Sequence, residues 1–215
     1  MAALDFLDRF DSELVIGLVA PVGAEKSIVI DEIKDSLAAF GYTTVKIKLS
    51  DFLKDIQSKH GVELIDEPEN ERINSYMNAG NKVREDMNRG DALALWAVSE
   101  IKRKLRPPEE KWNEKRAYIL DSLKHPKEVE SLRRIYGNGF FLIGIYSPEE
   151  QRFEYLHRNR NIADEDAKAL IERDYNEENP NNAEQQTRET FHVADAFVSL
   201  LNRPKPENRF PELWI

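Results

Sequence analysis

The most constraining stretch of this 215-residue chain is residues 14–27, LVIGLVAPVGAEKS. An apolar run of strand length leads into a Pro-Val-Gly turn and then into Lys26 and Ser27 at the start of a helical pattern. This order is typical of a phosphate-binding loop, G-x-x-x-x-G-K-[ST]. In such a loop, backbone N–H groups surround the phosphates, the lysine reaches their oxygens and the hydroxyl coordinates Mg²⁺. Ala20 and Glu25 occupy the two glycine positions here.

These substitutions leave two interpretations of the loop. In the first, Gly23, Ala24, Glu25, Lys26 and Ser27 bind nucleotide phosphates. In the second, the loop is an ordinary helix N-terminus at which Glu25 favours the helix dipole and Ser27 is solvated. We also expect Glu25 to pair with Lys26 in the empty state, which would weaken nucleotide binding.

Hydrophobic periodicity predicts a three-layer α/β fold around a mostly parallel sheet of about five strands. A helix over 28–40 and the alternating strand TTVKIKL at 43–49 complete a βαβ unit with the first strand. The almost uninterrupted apolar run at 140–146 predicts a fully buried central strand. The other predicted elements are helices near 71–88, 92–105, 126–136 and 164–174, a basic helical segment after Pro148, a loop at 176–189, and strands ending at Asp121 and within 192–200.

Two acidic residues follow predicted strands, where a parallel α/β sheet forms its ligand crevice. Asp51 is a candidate nucleotide- or substrate-binding acid, and the alternative is a helix N-cap. Asp121 ends an apolar strand as in a Walker B element. With Ser27 it is a candidate ligand of Mg²⁺, and the alternative is that it caps a turn.

Four arginines are candidate phosphate ligands, because a guanidinium group matches phosphate oxygens bidentately and stays charged. They are Arg84 and the later cluster of Arg152, Arg158 and Arg160, which could belong to a mobile lid. The alternative is that they are solvated helix arginines.

Composition narrows the classes of partner and compartment. The net charge of -9 argues against general nucleic-acid binding and against anionic membranes, so a phosphate ligand must be held locally. The absence of cysteine excludes disulfides and thiolate metal sites, and the four histidines are scattered. No apolar run approaches the roughly 18 residues of a membrane span, and the first residues do not resemble a signal peptide. We therefore expect a cytoplasmic protein.

Three stretches together closely resemble the N-terminal, P-loop kinase-like domain of bacterial antiphage deoxycytidine-nucleotide (dCTP/dCMP) deaminases. They are GLVAPVGAEKS, LDSLKHPKEVESLRRIYGNGFFLIGIYS at 120–147 and FHVADAFV at 191–198. The resemblance implies a kinase-like domain over 1–200 and, over 201–215, a linker toward a zinc-dependent deaminase domain. That domain would be the partner in cis and the holder of Zn²⁺. A zinc deaminase needs H-x-E and P-C-x-x-C, and this chain has neither, so deamination cannot reside in these residues.

Three functions follow from these observations. The first is a nucleotide-binding regulatory domain of an antiphage deaminase (a hydrolase), itself not catalytic, binding ATP or a deoxynucleotide with Mg²⁺. The second is an active nucleoside or nucleotide kinase that transfers a phosphoryl group from ATP. The third is a non-enzymatic interaction module with a vestigial loop, whose apolar C-terminal cluster mediates assembly, including a homo-oligomer.

Overall fold

A computed structural model describes residues 13–105, 115–176 and 185–201, together with the backbone of 213–214. Its sheet has the strand order β2-β3-β1-β4-β5-β6. The first five strands are parallel, and β6 runs antiparallel to β5 at the edge. The strands are β1 Glu13–Val19, β2 Thr43–Lys48, β3 Arg116–Asp121, β4 Phe140–Tyr146, β5 Ala196–Ser199 and β6 Leu213–Trp214.

Helices connect the strands and cover both faces of the sheet. The α-helices in the described residues are α1 Lys26–Ala39, α2 Asp51–His60, α3 Glu69–Asp86, α4 Ala92–Glu100, α5 Pro126–Tyr136, α6 Glu149–Glu154, α7 Asp164–Asn176 and α8 Thr187–His192. A π-helical turn, Ile101–Leu105, extends α4, and another, Tyr155–Asn159, extends α6. The described helices include none that is long and apolar enough to cross a membrane.

Most buried side chains form one apolar layer on each side of the sheet, and a smaller third cluster joins Leu156 and Ile162 to residues of α7. On one face, Val29 and Ile30 of α1 pack with Leu18 of β1. On the other face, residues of α2, α3, α4 and α5 pack against side chains such as Tyr118 and Leu142. Alternate residues of one strand point to opposite faces, so a single apolar strand supplies both layers. The predicted three-layer α/β fold with a mostly parallel sheet is confirmed.

Two predicted strands differ from the structure. The strand over 140–146 is central, but Phe141 and Tyr146 are 49% and 47% exposed, so it is not fully buried as we expected. The last parallel strand begins only at Ala196, because the residues before it, up to His192, form α8. The predicted loop at 176–189 falls largely on 177–184, outside the described residues.

The predicted helix over 126–136 is confirmed, and its start shows why this segment is helical. Pro126 occupies the first helical position, where its missing N–H is not needed. His125 Nδ1 accepts the N–H of Lys127 at 3.1 Å, and Glu128 accepts the N–H of His125 at 3.0 Å. This capping box fixes the backbone just after β3, beside the cleft described below.

The division into a domain over 1–200 and a linker over 201–215 stays a prediction. Residues 202–212 lie outside the described part of the chain. Leu213 and Trp214 pair with Val198 and Phe197 of β5 and so add a short strand to the sheet edge.

Candidate functional site

The loop between β1 and α1 requires a glycine at position 23. Gly23 has a φ of +82°, and a Cβ there would lie 2.8 Å from the backbone oxygen of Arg152. A side chain at this position would therefore meet both backbone strain and a steric clash. The loop packs closely on α6, and Arg152 Nη1 donates to the carbonyl oxygen of Val22 at 3.3 Å.

Three backbone N–H groups of this loop are bonded within the protein. The N–H of Val22 donates to Asp174 Oδ2 at 2.8 Å. The N–H groups of Ala24 and Lys26 donate to the carbonyl oxygens of Pro21 and Ala24, at 3.2 and 2.9 Å. In a complete phosphate-binding loop such groups face the ligand. This loop instead uses three of them to hold its own shape.

Lys26 forms an ion pair with Asp121, not with the Glu25 expected from the sequence. Its Nζ lies 2.5 Å from Asp121 Oδ1, and Lys46 Nζ lies 2.9 Å from Oδ2. One carboxylate at the end of β3 thus joins the first residue of α1 to a lysine of β2. We call Asp121, Lys26 and Lys46 the loop triad.

Burial and ion pairing together shift the pKa values of two members of the loop triad, Lys26 and Asp121. Burial lowers the pKa of Lys26, although the pairing with Asp121 opposes this. Burial alone would raise the pKa of Asp121, but the charges and hydrogen bonds of Lys26 and Lys46 outweigh it, so that this pKa is lowered. Asp121 is therefore ionised at neutral pH.

The loop triad lies in an open cleft of about 340 Å³ at the carboxyl ends of β1, β2 and β3. Seven cationic side chains and a single carboxylate, that of Asp121, are among the described residues that line it. This excess of positive charge stands out in a chain whose net charge is -9. The cations are Lys26, Lys46, Lys48, Arg72, Arg84, Lys124 and Arg160.

Arg84 and Lys124 each pair with a carboxylate that does not line the cleft. Arg84 Nη2 lies 3.3 Å from Glu128 Oε1, and both side chains are almost fully buried. Burial raises the pKa of Glu128 despite this pairing. Lys124 Nζ donates to the carbonyl oxygen of Ala20 at 2.9 Å and to Asp174 Oδ1 at 3.1 Å. These contacts hold the side chains of Arg84 and Lys124 in place in the wall of the cleft.

The structure brings only part of the predicted site together. Six predicted residues line the cleft: Ala24, Lys26, Ser27, Arg84, Asp121 and Arg160. The other five do not: Gly23, Glu25, Asp51, Arg152 and Arg158. Asp51 is exposed as the first residue of α2, and Arg158 is exposed and paired with Glu154. Arg152 supports the loop from behind.

Sequence reasoning missed four cations of the cleft: Lys46, Lys48, Arg72 and Lys124. A signal for three of them was available. Lys46 and Lys48 lie at the carboxyl end of β2, and Lys124 follows that of β3, the edge at which α/β sheets bind ligands. Arg72 lies within α3, where its spacing resembles that of any solvated helix arginine.

Comparisons with known proteins give distant similarities. No family model matches the chain. A UPF0200 protein from Aeropyrum pernix is 29% identical over 150 residues, which cover 69% of this chain and 66% of the relative, just under two thirds of its length.

Three solved structures are similar over most of the chain. A gluconokinase from Sinorhizobium meliloti 1021 has a TM-score of 0.42 at 16% identity, with 91% of this chain and 86% of that chain covered. TT1252 from Thermus thermophilus has a TM-score of 0.46 at 12% identity, with 89% of this chain and 90% of that chain covered. A shikimate kinase from Acinetobacter baumannii in complex with shikimate has a TM-score of 0.43 at 16% identity, with 91% of this chain and 87% of that chain covered.

Similarities of this size do not identify a ligand or an activity. None of these four proteins is named as a deaminase, so the resemblance to antiphage deaminases stays a prediction.

Proposed function

We propose that this chain is a nucleotide-binding domain that holds the phosphate groups of its ligand mainly with cationic side chains. The observation that carries the proposal is the cleft itself, with seven cations and one carboxylate among its described lining residues in an acidic chain. A concave site of one sign of charge concentrates ligands of the opposite sign. Its volume of about 340 Å³ lies within the range typical of small-molecule sites.

Lys26 is the residue on which binding depends most. In the structure its charge is balanced by Asp121, whose Oδ1 lies 2.5 Å from Nζ of Lys26. Phosphate oxygens would replace this carboxylate as the partner of Lys26 and would form a charge-assisted hydrogen bond with its ammonium group. Lys46, freed from the same carboxylate, would contribute a second charge.

The residues present also fit a magnesium ion that arrives with the nucleotide. Mg²⁺ is held in such sites by one or two protein ligands together with phosphate oxygens and waters. Ser27 and Asp121, the two predicted ligands, both line the cleft. When bound, the ion would neutralise phosphate charge. No zinc site is proposed, because the described residues contain no group of three histidine, cysteine, aspartate or glutamate side chains that could hold a metal.

The finer role that we propose is regulation of an attached deoxycytidine-nucleotide deaminase in defence against phages. The three stretches that resemble the N-terminal domain of these enzymes support this role, and the chain itself lacks the deaminase metal ligands. A nucleotide that prefers one arrangement of the two domains would shift the population toward it and so change deaminase activity.

An active kinase is the second candidate, and the distribution of the cations favours it. Lys26 lies beside the loop, whereas Arg72 lies on α3 and Arg160 follows the π-helical turn after α6. The cleft could therefore serve a donor and an acceptor phosphate. Against it, Asp51, the acid predicted near the acceptor, is exposed and does not line the cleft.

Isothermal titration calorimetry with ATP, dCTP and dTTP, with and without Mg²⁺, tests the proposal. Lys26→Ala should weaken binding about 10- to 100-fold, the scale of a charge-assisted hydrogen bond. Lys34→Ala is the matched control, because Lys34 lies on the same helix and pairs with the exposed Asp31. Its affinity should equal that of the unchanged protein.

The outcomes separate the three functions. Binding without phosphoryl transfer from ATP to deoxynucleoside monophosphates supports the regulatory role, and transfer supports the kinase. If no nucleotide binds, or if Lys26→Ala and Lys34→Ala bind equally well, the loop is vestigial and the interaction module is the remaining function.

A further inference from the structure

A second group of cations lines the same cleft as the loop triad. One of them, Lys48, is the neighbour of Asp121 in the sheet, and the other two come from different segments of the chain. Lys48, Arg72 and Arg160 all line the cleft, and each belongs to a different part of the chain. Lys48 ends β2, Arg72 lies in the first turn of α3, and Arg160 follows the π-helical turn after α6. Three separate segments thus bring positive charge to one place. We call these three residues the rim.

Glu69 joins the two arginines of the rim. Arg72 donates to both of its carboxylate oxygens, with Nη2 2.8 Å from Oε1, and Nη1 of Arg160 lies 3.6 Å from the same oxygen. The hydrogen bond from Arg72 is the main cause of a lowered pKa of Glu69, and the charges of Arg160 and Lys48 act in the same direction. All three rim cations therefore act on one carboxylate.

Two tyrosines of the cleft wall orient the guanidinium groups further. The guanidinium of Arg72 lies 5.6 Å from the ring centre of Tyr76, and that of Arg160 lies 5.6 Å from the ring centre of Tyr155. Both rings line the cleft. Each arginine is thus positioned by a carboxylate and by an aromatic face, which reduces the conformational freedom that it would lose on binding a ligand.

Glu69 is not among the residues that line the cleft, although its partners are. It therefore holds the two guanidinium groups together from outside. The carboxylates of Glu69 and Asp66 act on Arg72, so the three cations of the rim still outnumber the acids near them. Positioned arginines with excess charge are the arrangement that binds a phosphate group bidentately.

We propose that Lys48, Arg72 and Arg160 form a second phosphate subsite, with Glu69 as a positioning residue behind it. The subsite would bind the phosphate of a nucleoside monophosphate while the loop triad binds a separate polyphosphate group. Only the assignment of the ligand as a nucleotide rests on the function proposed above. The two groups of cations can be tested independently.

The test uses two probes, dCMP and inorganic tripolyphosphate, titrated alone and together by calorimetry in EDTA. Arg72→Ala and Arg160→Ala should each weaken dCMP binding about 10-fold or more, the scale of a charge-assisted hydrogen bond, and change tripolyphosphate binding less than about twofold. Lys26→Ala should show the reverse pattern. Bound tripolyphosphate should not displace dCMP.

Glu69→Gln separates a positioning role of Glu69 from a purely electrostatic one, provided that its urea denaturation shows that the variant is folded. It removes a negative charge near the phosphate, so simple electrostatics predicts tighter dCMP binding. Loss of the support behind the arginines predicts weaker binding, by about two- to fivefold on the scale of exposed ion pairs. Asp86→Asn is the matched control, because Asp86 pairs with Lys82 on the exposed side of the same helix.

The proposal is overturned if dCMP does not bind, if the arginine variants leave its affinity unchanged, or if Glu69→Gln tightens it while Asp86→Asn has no effect. Failure of the function proposed above looks different. In that case tripolyphosphate binding is absent or is insensitive to Lys26→Ala, whether or not dCMP binds.

Discussion

The two groups of cations in the cleft each surround one carboxylate, but the two carboxylates are placed differently. At the loop triad, Asp121 lies between Lys26 and Lys46 and itself lines the cleft. At the rim, Glu69 lies between Arg72 and Arg160 but does not line it. A carboxylate inside a cleft competes with an incoming phosphate, whereas one behind the cations positions them. Neutralising Asp121 should therefore raise the affinity for a phosphate ligand, whereas neutralising Glu69 should lower it.

The largest expected effect is on the free energy of unfolding of Asp121→Asn. The Asp121 side chain is only 6% exposed, and its loss leaves two lysine ammonium groups close together without a counter-ion. We expect destabilisation of about 2 to 4 kcal/mol, toward the lower end of values for breaking a buried ion pair because both lysines are partly exposed. Urea denaturation measures this. A change below about 1 kcal/mol would contradict the importance of the triad.

The affinity of the same variant tests the competition directly. Without Mg²⁺, Asp121→Asn should bind tripolyphosphate about 5- to 10-fold more tightly, because no carboxylate opposes the ligand; this is the scale of one ordinary hydrogen bond. Calorimetry in EDTA at a temperature where the variant is folded is the measurement. Weaker binding would mean that Asp121 positions its lysines as Glu69 positions the arginines, and the comparison would fail.

The pH dependence of stability should distinguish the unchanged protein from Asp121→Asn. The pKa of Asp121 is lowered in the folded state, so its contribution is fully present above the unfolded value of about 3.9 and is lost as pH falls through the folded pKa. The difference in unfolding free energy between the two proteins should therefore be constant near neutral pH and shrink in acid. A difference that grows on acidification would contradict the assigned ion pairs.

The smallest expected effect is that of Glu69→Gln on stability. The Glu69 side chain is 22% exposed and that of Arg72 34%, so solvent and salt screen the pair. We expect a loss of about 0.5 to 1 kcal/mol in low salt that declines further at 0.5 M NaCl. Urea denaturation at two salt concentrations measures it. A loss of stability as large and as insensitive to salt as that of Asp121→Asn would contradict the contrast between the loop triad and the rim.

The sequence predicted the fold well because its signals are local. The strand before the loop, the helix that begins at Lys26 and the helix over 126–136 each follow from periodicity and end signals within a few residues. The exposure of Phe141 was not predictable in this way, because it depends on which helices cover that part of the sheet.

The site was predicted less completely because its charges meet across long sequence separations. Lys26 and Asp121 were both identified, but nothing near either residue indicates their contact or the participation of Lys46. Glu25 is adjacent to Lys26, and adjacency suggested the wrong partner. Arg152 was predicted as a phosphate ligand of a lid, yet it donates to the backbone of the loop and does not line the cleft.

The hydrogen bonds of the loop between β1 and α1 have a consequence for the entropy of ligand binding. Asp174, the carbonyl oxygens of the loop and Arg152 fix its backbone through hydrogen bonds within the protein. A loop that is ordered beforehand loses little conformational freedom when a ligand arrives. Most of the ordering on binding should then fall on lysine and arginine side chains, so loop motion would not limit how fast the ligand enters the cleft.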